Sequence, residues 1–458
     1  MTDDDLLALA ERTLGQVEGD AQVTVVHERS LLSRFARTRP TQATALDEID
    51  LRVTAVRAGH TAVAAANRVD DDALRDAGRR AVRAADAAAR AGGPGRYPGL
   101  PAADQGARPA MGFHPPTAAL DPGAPGRALE AVFAAAQDGV PRLEAAGIWT
   151  AGAVRTAIAS SAGVRRVAAV TDAYLKVLCR DDRGRSGFAS QASPSAADLD
   201  AGAARAAAAK VVPDEPAELA PGDYPVVLDA DAVGTLLEFL GALALNGLAY
   251  AENRSALSGR LGTPVAAAGV NLADSPLVPG TLPRTFDAEG VPKAPLPLIQ
   301  DGIAHRVVHD TRSAAIAGDG ARSTGHAIAA GGAPDGPEPR NLILTGGGAA
   351  DVADLAAPIE RGIYVTRLWY VNPVREHETL VTGMSRDGTF LIEDGRITRP
   401  LRDVRITDSI LGILERTEAL TARSRLVCEG EFYGRRFATG VVCPAIRVAG
   451  IRVTGASP

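Results

Sequence analysis

The sequence predicts an α+β protein in which mixed α/β units at the N-terminus precede a larger β-rich C-terminal domain of antiparallel, barrel-like sheet. Residues 22–66 alternate apolar and polar side chains as strands do, and helical patterns lie on either side of them. Residues 219–458 consist mostly of short apolar runs separated by turns. Three of these turns are Asp-Gly pairs, at 301, 387 and 394, and such pairs strongly indicate β-hairpins. Neighbouring strands with helices at their edges are typical of the α+β class.

The first predicted unit, residues 1–91, begins and ends with a helix. Thr2 is followed by three aspartates, and a capping hydroxyl with negative charges behind it stabilises a helix N-terminus. This pattern predicts a helix over 3–18. Three further aspartates at 70–72 open an Ala/Arg-rich stretch, which predicts a second helix that ends near Arg90.

Residues 92–126 predict a linker or long loop, because they are rich in Gly and Pro and show no periodicity. A central α/β unit follows over 127–215, and prolines at 213, 216 and 221 mark its end. In that unit we expect a helix over 127–145, strands over 148–160 and 164–179, and an Ala-rich closing helix.

Composition excludes several classes of protein. The 458 residues include 49 Lys or Arg against 55 Asp or Glu, and a net charge of −6 lacks the basic surface of a general nucleic-acid binder. Three cysteines (Cys179, Cys428 and Cys443) cannot all pair, which fits a reducing compartment. The acidic N-terminus is also unlike the cationic start of a secretory signal. We therefore expect a cytoplasmic protein.

Residues 232–251 are apolar enough to resemble a membrane span, since about 20 such residues cross a bilayer. However, Glu238 and Asn246 lie within the stretch, and its largest side chains are spaced as on one face of a helix. The pattern therefore predicts a buried or half-buried helix and no membrane partner.

His305 and His309 are the most suggestive pair of metal ligands in the sequence, because histidines four residues apart share a helix face. The stretch follows an Asp-Gly turn and alternates in polarity, so we expect a strand, where the two imidazoles lie too far apart for one ion. Arg306 also stands where a zinc hydrolase would carry a glutamate base. This pattern alone does not predict a metal site.

The three glycines at 346–348 follow a predicted strand and precede a helix, as a phosphate-binding loop does. No lysine follows them, and Asp351 stands at the helix start, so a simple glycine turn is predicted. Cys428 lies in a polar stretch beside Glu429 and Gly430, and it alone among the cysteines has a setting that would allow a ligand role. The residues by themselves show no catalytic constellation.

Six stretches of the sequence carry a resemblance to a known family. They are 31–36 (LLSRFA), 257–262 (LSGRLG), 286–292 (FDAEGVP), 323–327 (STGHA), 382–390 (TGMSRDGTF) and 441–445 (VVCPA). In this order they resemble the TldD/PmbA family of zinc-peptidase-related proteins over nearly the whole chain. The resemblance implies an N-terminal α/β unit and a larger β-rich C-terminal domain.

The resemblance also implies two kinds of family member. The catalytic kind carries H-E-x-x-x-H on a helix shortly before the S-G-R-[IL]-G block, and a cysteine ligand near the C-terminus. Here that window falls on Glu238 to Leu243 and reads EFLGAL. Both histidines and the base are missing, and Phe239 and Leu243 cannot bind zinc or activate water. Cys428 falls close to the family's cysteine and is a weak metal candidate only.

This departure places the chain with the TldE/PmbA-like subunits. We expect a partner subunit without a cofactor of its own, in a heterodimer with a zinc-binding TldD-like subunit that hydrolyses peptides. It would help to enclose extended peptide, for example by strand addition. His309, Asp310, Thr324 and His326 are candidates to line the peptide chamber, and hydrogen bonding at turns and strand ends is their alternative role.

Two other functions stay open at this point. One is a stand-alone amide or peptide hydrolase of specialised metabolism, which would use His305, His309, His326 and Cys428 as a non-standard metal site. The other is a non-enzymatic regulatory or interaction protein, since some family names suggest modulation of DNA gyrase. The acidic charge balance argues against DNA contact and leaves protein contact open.

Overall fold

The computed structural model of the chain describes residues 1–103, 112–138, 143–318, 320–428, 436 and 439–456. Within these residues the chain forms three β-sheets with helices packed on them. The helices are α1 (Asp3–Leu14), α2 (Asp71–Ala91), α3 (Pro115–Ala118), α4 (Ala124–Gln137), α5 (Gly202–Ala208), α6 (Ala230–Leu243), α7 (Gly247–Ala251), α8 (Thr311–Ala317), α9 (Val352–Ala356) and α10 (Ile410–Glu415). Two 3-10 turns lie at Ala196–Asp198 and Glu376–Glu378.

The strands fall into an N-terminal and a C-terminal group. The first group is β1 (Ala21–Ala36), β2 (Arg39–Arg57), β3 (His60–Ala66), β4 (Glu144–Ser160), β5 (Arg165–Arg180) and β6 (Ser186–Ser193). The second group is β7 (Gly222–Leu228), β8 (Leu272–Asp274), β9 (Leu296–Gln300), β10 (Ile303–Ala304), β11 (Asn341–Leu344), β12 (Arg361–Val365), β13 (Leu368–Arg375), β14 (Leu380–Ser385), β15 (Thr389–Glu393), β16 (Arg396–Pro400), β17 (Val404–Ser409), β18 (Thr417–Leu420), β19 (Arg425–Val427), β20 (Gly440–Cys443) and β21 (Ile446–Ala456).

Both predicted helices of the first unit form, and their caps explain where they begin. The Thr2 hydroxyl accepts a hydrogen bond from Asp5 N, while the Asp5 carboxylate accepts one from Thr2 N, so both orphan amides are satisfied. Asp70 caps α2 by accepting from Ala73 N. Helix α1 ends at Leu14, four residues before the predicted boundary at 18.

The N-terminal strands form one antiparallel sheet in the order β3-β2-β1-β4-β5-β6. Because β1 pairs with β4 along its length, the predicted units 1–91 and 127–215 share a single sheet. The segment predicted as a linker, 92–126, contains α3 and the start of α4, and 104–111 lie outside the described residues. The helix predicted over 127–145 ends at Gln137, and Glu144 already begins β4.

The two faces of this sheet have different partners, because side chains alternate along each strand. Odd-numbered residues such as Val25 in β1 and Ala157 in β4 pack against α1 and α2, and Trp149 packs against α4 and α5. Even-numbered residues face the C-terminal domain, where Val154 meets Leu426. The sheet is therefore the middle layer between helices and the C-terminal domain.

The C-terminal domain contains the other two sheets. One has six strands in the order β10-β9-β8-β11-β20-β19. The other has nine, in the order β13-β14-β17-β21-β7-β12-β15-β16, with β18 paired to β21. Most neighbours are antiparallel, and β7–β12 and β11–β20 are parallel. The α+β class predicted from the sequence is confirmed.

The apolar stretch 232–251, which resembled a membrane span, forms two helices, α6 and α7, and not one. The break comes at Asn246, whose side chain caps α7, and α6 is largely buried as predicted. Leu236, Leu237 and Leu240 lie in the largest core cluster, between the two C-terminal sheets. Gly234 allows the helix to approach β19, since a Cβ there would lie 2.7 Å from Val427 Cγ1. Among the described residues, no helix is long and apolar enough to cross a bilayer.

Two turn predictions succeed and two local predictions are wrong. Asp301-Gly302 and Asp394-Gly395 each join an antiparallel pair, and all four residues adopt positive φ. Asp387-Gly388 joins β14 to β15, which do not pair with each other, so no hairpin forms there. The strand predicted over 303–309 ends at Ala304, and residues 305–309 are not part of the sheet.

Candidate functional site

Three of the four predicted chamber residues are joined directly by hydrogen bonds. His309 N donates to Thr324 Oγ1 at 2.8 Å, and Thr324 N donates to His309 O at 2.9 Å. Thr324 Oγ1 also lies 2.9 Å from His326 Nδ1. Asp310 is adjacent along the chain and caps α8 by accepting from Ser313 N at 2.7 Å. The structure thus brings all four together, in hydrogen bonds that also hold two turns in place.

His326 continues this network into the core. Its Nε2 lies 3.1 Å from Asp274 Oδ1, at the end of β8, and the same oxygen lies 2.9 Å from Lys293 Nζ. Lys293 also donates to Asn341 Oδ1 at 3.2 Å. Asp274 Oδ2 accepts from the backbone amides of Arg340 and Asn341. A fully buried carboxylate is therefore surrounded by donors, as buried charges require.

The charges of this network determine its protonation states. Burial opposes ionisation of Asp274, but the charge of Lys293 and the hydrogen bonds from His326 and Lys293 outweigh it and hold the pKa of that carboxyl well below its usual range. Burial and the charge of Lys293 lower the pKa of His326. Burial also lowers the pKa of His309. Both imidazoles are therefore neutral near pH 7, and Lys293 is the cation that compensates Asp274.

Two further buried carboxylates, Asp287 and Glu289, lie beside this network. Asp287 Oδ1 accepts from the amides of Glu289 and Val291, while Glu289 Oε2 accepts from Thr311 N and from Thr311 Oγ1 at 2.5 Å. Burial raises the pKa of Asp287 to about 6. Burial and the neighbouring Asp287 raise the pKa of Glu289 to about 8. At neutral pH Glu289 therefore keeps a proton that an ordinary carboxyl would have lost, while Asp287 is mostly ionised.

A cavity of about 240 Å³ lies next to these groups, between the N-terminal sheet and the C-terminal domain. Even-numbered side chains of β1, β4 and β5 form one wall, and segments 283–288 and 325–328 form the other. His326, Asp287 and Lys293 are at its lining. The sequence pointed to this region only through the blocks 286–292 and 323–327, and it gave no sign of Asp274 or Lys293.

The window 238–243, where the family resemblance expects the zinc motif, lies in α6 and holds one possible ligand, Glu238. Leu243 is buried in the main core, Phe239 packs against that core, and Glu238 is exposed. Of the two histidine positions, Leu243 offers zinc no ligand atom and Glu238 offers a single carboxylate, while Phe239 at the position of the base cannot activate water. Cys428 is buried and packs with Ile148 and Tyr174 of the N-terminal sheet.

The alternative metal site is not assembled either. His305 is exposed, His309 is buried, and Cys428 lies against the N-terminal sheet. Among the residues that the structure describes, no three His, Cys, Asp or Glu side chains lie close enough to hold a metal ion. The network around His326 can hold protons and position loops beside the cavity, and its imidazole lies between the Thr324 hydroxyl and the Asp274 carboxylate.

Comparison with known proteins identifies the family. Residues 221–455, more than half of the chain, match the profile of the PmbA/TldA metallopeptidase C-terminal domain. The chain belongs to the PmbA/TldD family. Among the family's proteins, a metalloprotease TldD homolog from Haemophilus influenzae is 27% identical over 242 residues, which cover 51% of this chain and 48% of that protein. A metalloprotease from Methanothermobacter thermautotrophicus is 26% identical over 208 residues, 45% of this chain and 44% of that protein. The chain thus spans about half the length of the curated relatives it matches.

Solved structures show the same fold over the whole chain. TldE from Thermococcus kodakarensis superposes with a TM-score of 0.84 at 17% identity, covering 99% of this chain and 100% of that one. A proposed modulator of DNA gyrase from Bacteroides thetaiotaomicron superposes with a TM-score of 0.79 at 18% identity, covering 99% of each chain. At these identities the likeness concerns the fold.

Proposed function

We propose that this chain is the metal-free partner subunit of a cytoplasmic, heterodimeric zinc peptidase, and that a TldD-like subunit supplies the metal. The observation that carries the proposal is the chemistry of helix α6. Leu243 occupies the second position at which the family resemblance expects a histidine, and Phe239 occupies the position of the base; both contact the apolar core. The first histidine position carries Glu238, which is exposed. The chain has the fold of the family, and a packing group stands at the second histidine position and at the position of the base.

The environment of Cys428 supports the same proposal. A thiolate is the form of cysteine that binds zinc, and an apolar setting disfavours it. Cys428 is buried between Ile148 and Tyr174, which is the setting of a packing group. No zinc-dependent step is therefore assigned to this chain, and its role in the complex is to bind and enclose extended peptide.

The experiment compares the chain alone, a TldD-type partner alone, and the two co-expressed. We expect the lone chain to contain far less than one zinc per molecule by elemental analysis and to cleave no unfolded peptide. Co-purification with the partner and partner-dependent hydrolysis are expected in the third sample. Stoichiometric zinc or peptidase activity in the lone chain would contradict the proposal.

A His309→Asn variant separates this function from a stand-alone hydrolase. Under the proposed function the variant complex keeps most of its activity, whereas a hydrolase that used this imidazole as a ligand would lose it. Circular dichroism of the variant provides the folding control. Recovery of a topoisomerase subunit in place of a TldD-like chain in a pull-down would favour the regulatory alternative.

A further inference from the structure

The segment that follows α2 connects the N-terminal sheet to the C-terminal domain through non-covalent contacts. Tyr97 N donates to Gly59 O at 3.0 Å, in the turn between β2 and β3. Arg96 pairs with Glu252, the residue that ends α7, at 2.9 Å. Residues 92–98, which we call the strap, therefore contact both parts of the molecule.

The side chain of Tyr97 anchors the strap in the C-terminal domain. Only 4% of this residue is exposed. Burial raises the pKa of its hydroxyl, and the neighbouring carboxylates of Glu289, Asp287 and Asp310 raise it further. All three acidic residues are themselves buried. The phenol of the strap thus lies among three acids and keeps its proton.

Printed hydrogen bonds satisfy only part of this cluster. Backbone amides satisfy both oxygens of Asp287. Glu289 uses Oε2 to accept from Thr311, and Asp310 uses Oδ1 to cap α8. The other oxygens, Glu289 Oε1 and Asp310 Oδ2, are buried with the Tyr97 hydroxyl, and none has a partner of full hydrogen-bond geometry among the described residues. Two buried acceptors therefore face one fixed donor.

This count of donors and acceptors requires a second proton. A buried acceptor without a donor is unfavourable, and a single phenol proton cannot satisfy two carboxylates. Burial and the charge of Asp287 raise the pKa of Glu289 to about 8, so Glu289 is the residue that holds the second proton. Loss of that proton leaves three buried carboxylates around the hydroxyl of Tyr97.

The charged and titratable groups around the three acids do not compensate such a loss. Lys293 favours the charged form of Asp287, but its ammonium is already paired with Asp274 at 2.9 Å. His309 is neutral near pH 7, because burial lowers its pKa. Within the described part of the chain, neither Glu289 nor Asp310 forms an ion pair with a lysine or arginine.

We propose that the strap is a pH-dependent latch, which is closed while the cluster of Tyr97, Glu289 and Asp310 holds its second proton and is released when that proton is lost. Departure of the Tyr97 ring admits water to Glu289, whose pKa then returns to about 4.3. Because the pKa is higher in the closed state, closure is favoured at low pH. The released fraction should rise up to about tenfold per pH unit between those two pKa values and then level off.

Trypsin measures the release, because the bond between Arg96 and the buried Tyr97 can be cut only when the strap leaves the C-terminal domain. The rate of cleavage after Arg96 is divided by the rate after Arg183, whose side chain is 67% exposed in the turn between β5 and β6. This division cancels the pH dependence of the protease. We expect the ratio to rise about tenfold from pH 6.5 to 8 and less than twofold from pH 8.5 to 9.5. A ratio that does not change with pH would overturn the proposal.

Matched variants assign the effect to one carboxyl group. Glu289→Gln carries an amide that does not titrate, so its ratio should change less than twofold over the whole range. Glu252→Gln breaks the exposed pair with Arg96 and leaves the acid cluster intact, so the tenfold rise should remain. Tyr97→Phe keeps the ring without the hydroxyl and should raise the ratio at pH 6.5 at least threefold. A tenfold rise in Glu289→Gln, or an unchanged ratio in Tyr97→Phe, would contradict the assignment.

Cleavage within the sheet distinguishes release of the strap from unfolding. Arg52 lies in the middle of β2, between β1 and β3, so trypsin reaches it only in an unfolded chain. If cleavage after Arg52 rises together with cleavage after Arg96, the change is global and the latch is wrong. The pH profile of the wild type tests the proposal even where a variant does not fold, as judged by circular dichroism. The full chain is used alone, so the result is independent of zinc and of a partner subunit.

Discussion

The ion pair between Lys293 and Asp274 allows a sharp test of how the buried network is stabilised. Lys293→Met removes the Nζ atom, which lies 2.9 Å from Asp274 Oδ1, and keeps a side chain of similar length. The two side chains are 3% and 0% exposed, so bulk water does not screen the pair. The variant therefore leaves a carboxylate in the core without its main counter-charge.

The magnitude follows from the partners that remain. Breaking a buried ion pair by removal of one partner costs about 3–5 kcal/mol. Asp274 still accepts hydrogen bonds from the amides of Arg340 at 2.8 Å and Asn341 at 2.7 Å, which compensate part of its charge. We therefore expect the free energy of unfolding at pH 8 to fall by about 3 kcal/mol, the lower end of that range.

The loss should depend on pH, because His326 can replace the missing cation. Burial and the charge of Lys293 lower the pKa of His326, and the variant removes the second of these effects. The histidine pKa in the folded variant then rises, and a raised histidine pKa gives stability that is present at low pH and lost as pH rises. The difference between wild type and variant should shrink by about 1 kcal/mol or more between pH 8 and pH 5.5.

Urea unfolding followed by circular dichroism at the two pH values measures this difference. Arg375→Met is the control, since it breaks an exposed pair with Glu378, 2.8 Å apart, with side chains 63% and 52% exposed. Such a pair contributes less than about 1 kcal/mol. If Lys293→Met costs no more than the control, or costs the same at both pH values, the account of this network is wrong.

Three other changes test the site and the core. Burial and Asp287 raise the pKa of Glu289 to about 8, so the folded protein loses stability as pH rises and this carboxyl ionises. The melting temperature of the wild type should therefore fall between pH 6 and 9, and that of Glu289→Gln should fall less. Arg436→Met leaves the buried Asp172 carboxylate without its cation and should lower the free energy of unfolding in urea by about 3–5 kcal/mol. Adding Asp172→Asn to this variant should restore part of that loss. Leu243→Ala should cost about 2–5 kcal/mol by the same measurement, as loss of a core side chain does, without changing zinc content.

Local signals in the sequence predicted much of the fold. The helix starts at Thr2 and Asp70 were predictable because a cap and its amides lie within three residues of each other. The hairpins at 301 and 394 were predictable for the same reason, since Asp-Gly readily takes positive φ. At 387 the same dipeptide joins strands with other partners, and Asp387 instead accepts from the Ser186 hydroxyl at 2.5 Å.

Long-range pairings were not predictable from these patterns. Strands β1 and β4 are separated by more than a hundred residues, and periodicity says which face of a strand is buried without saying which strand lies beside it. The same holds for the site, where Asp274, Lys293 and His326 come from three separate segments. The blocks at 286–292 and 323–327 pointed to the region, and burial then set the protonation states.

The strand order of the N-terminal sheet contains a repeat that the sequence does not show. Helix α1, strands β1 to β3 and helix α2 are followed by helix α4, strands β4 to β6 and helix α5 in the same order. The two halves meet through their first strands, β1 and β4, which run antiparallel, as a pseudo-twofold axis perpendicular to the sheet requires. Each half therefore pairs with the other through the edge formed by its first strand, and a second copy of the same half could pair with that edge in the same way. A fragment ending near residue 91 would expose β1 as a long unpaired edge, and self-association through that edge is the direct physical consequence.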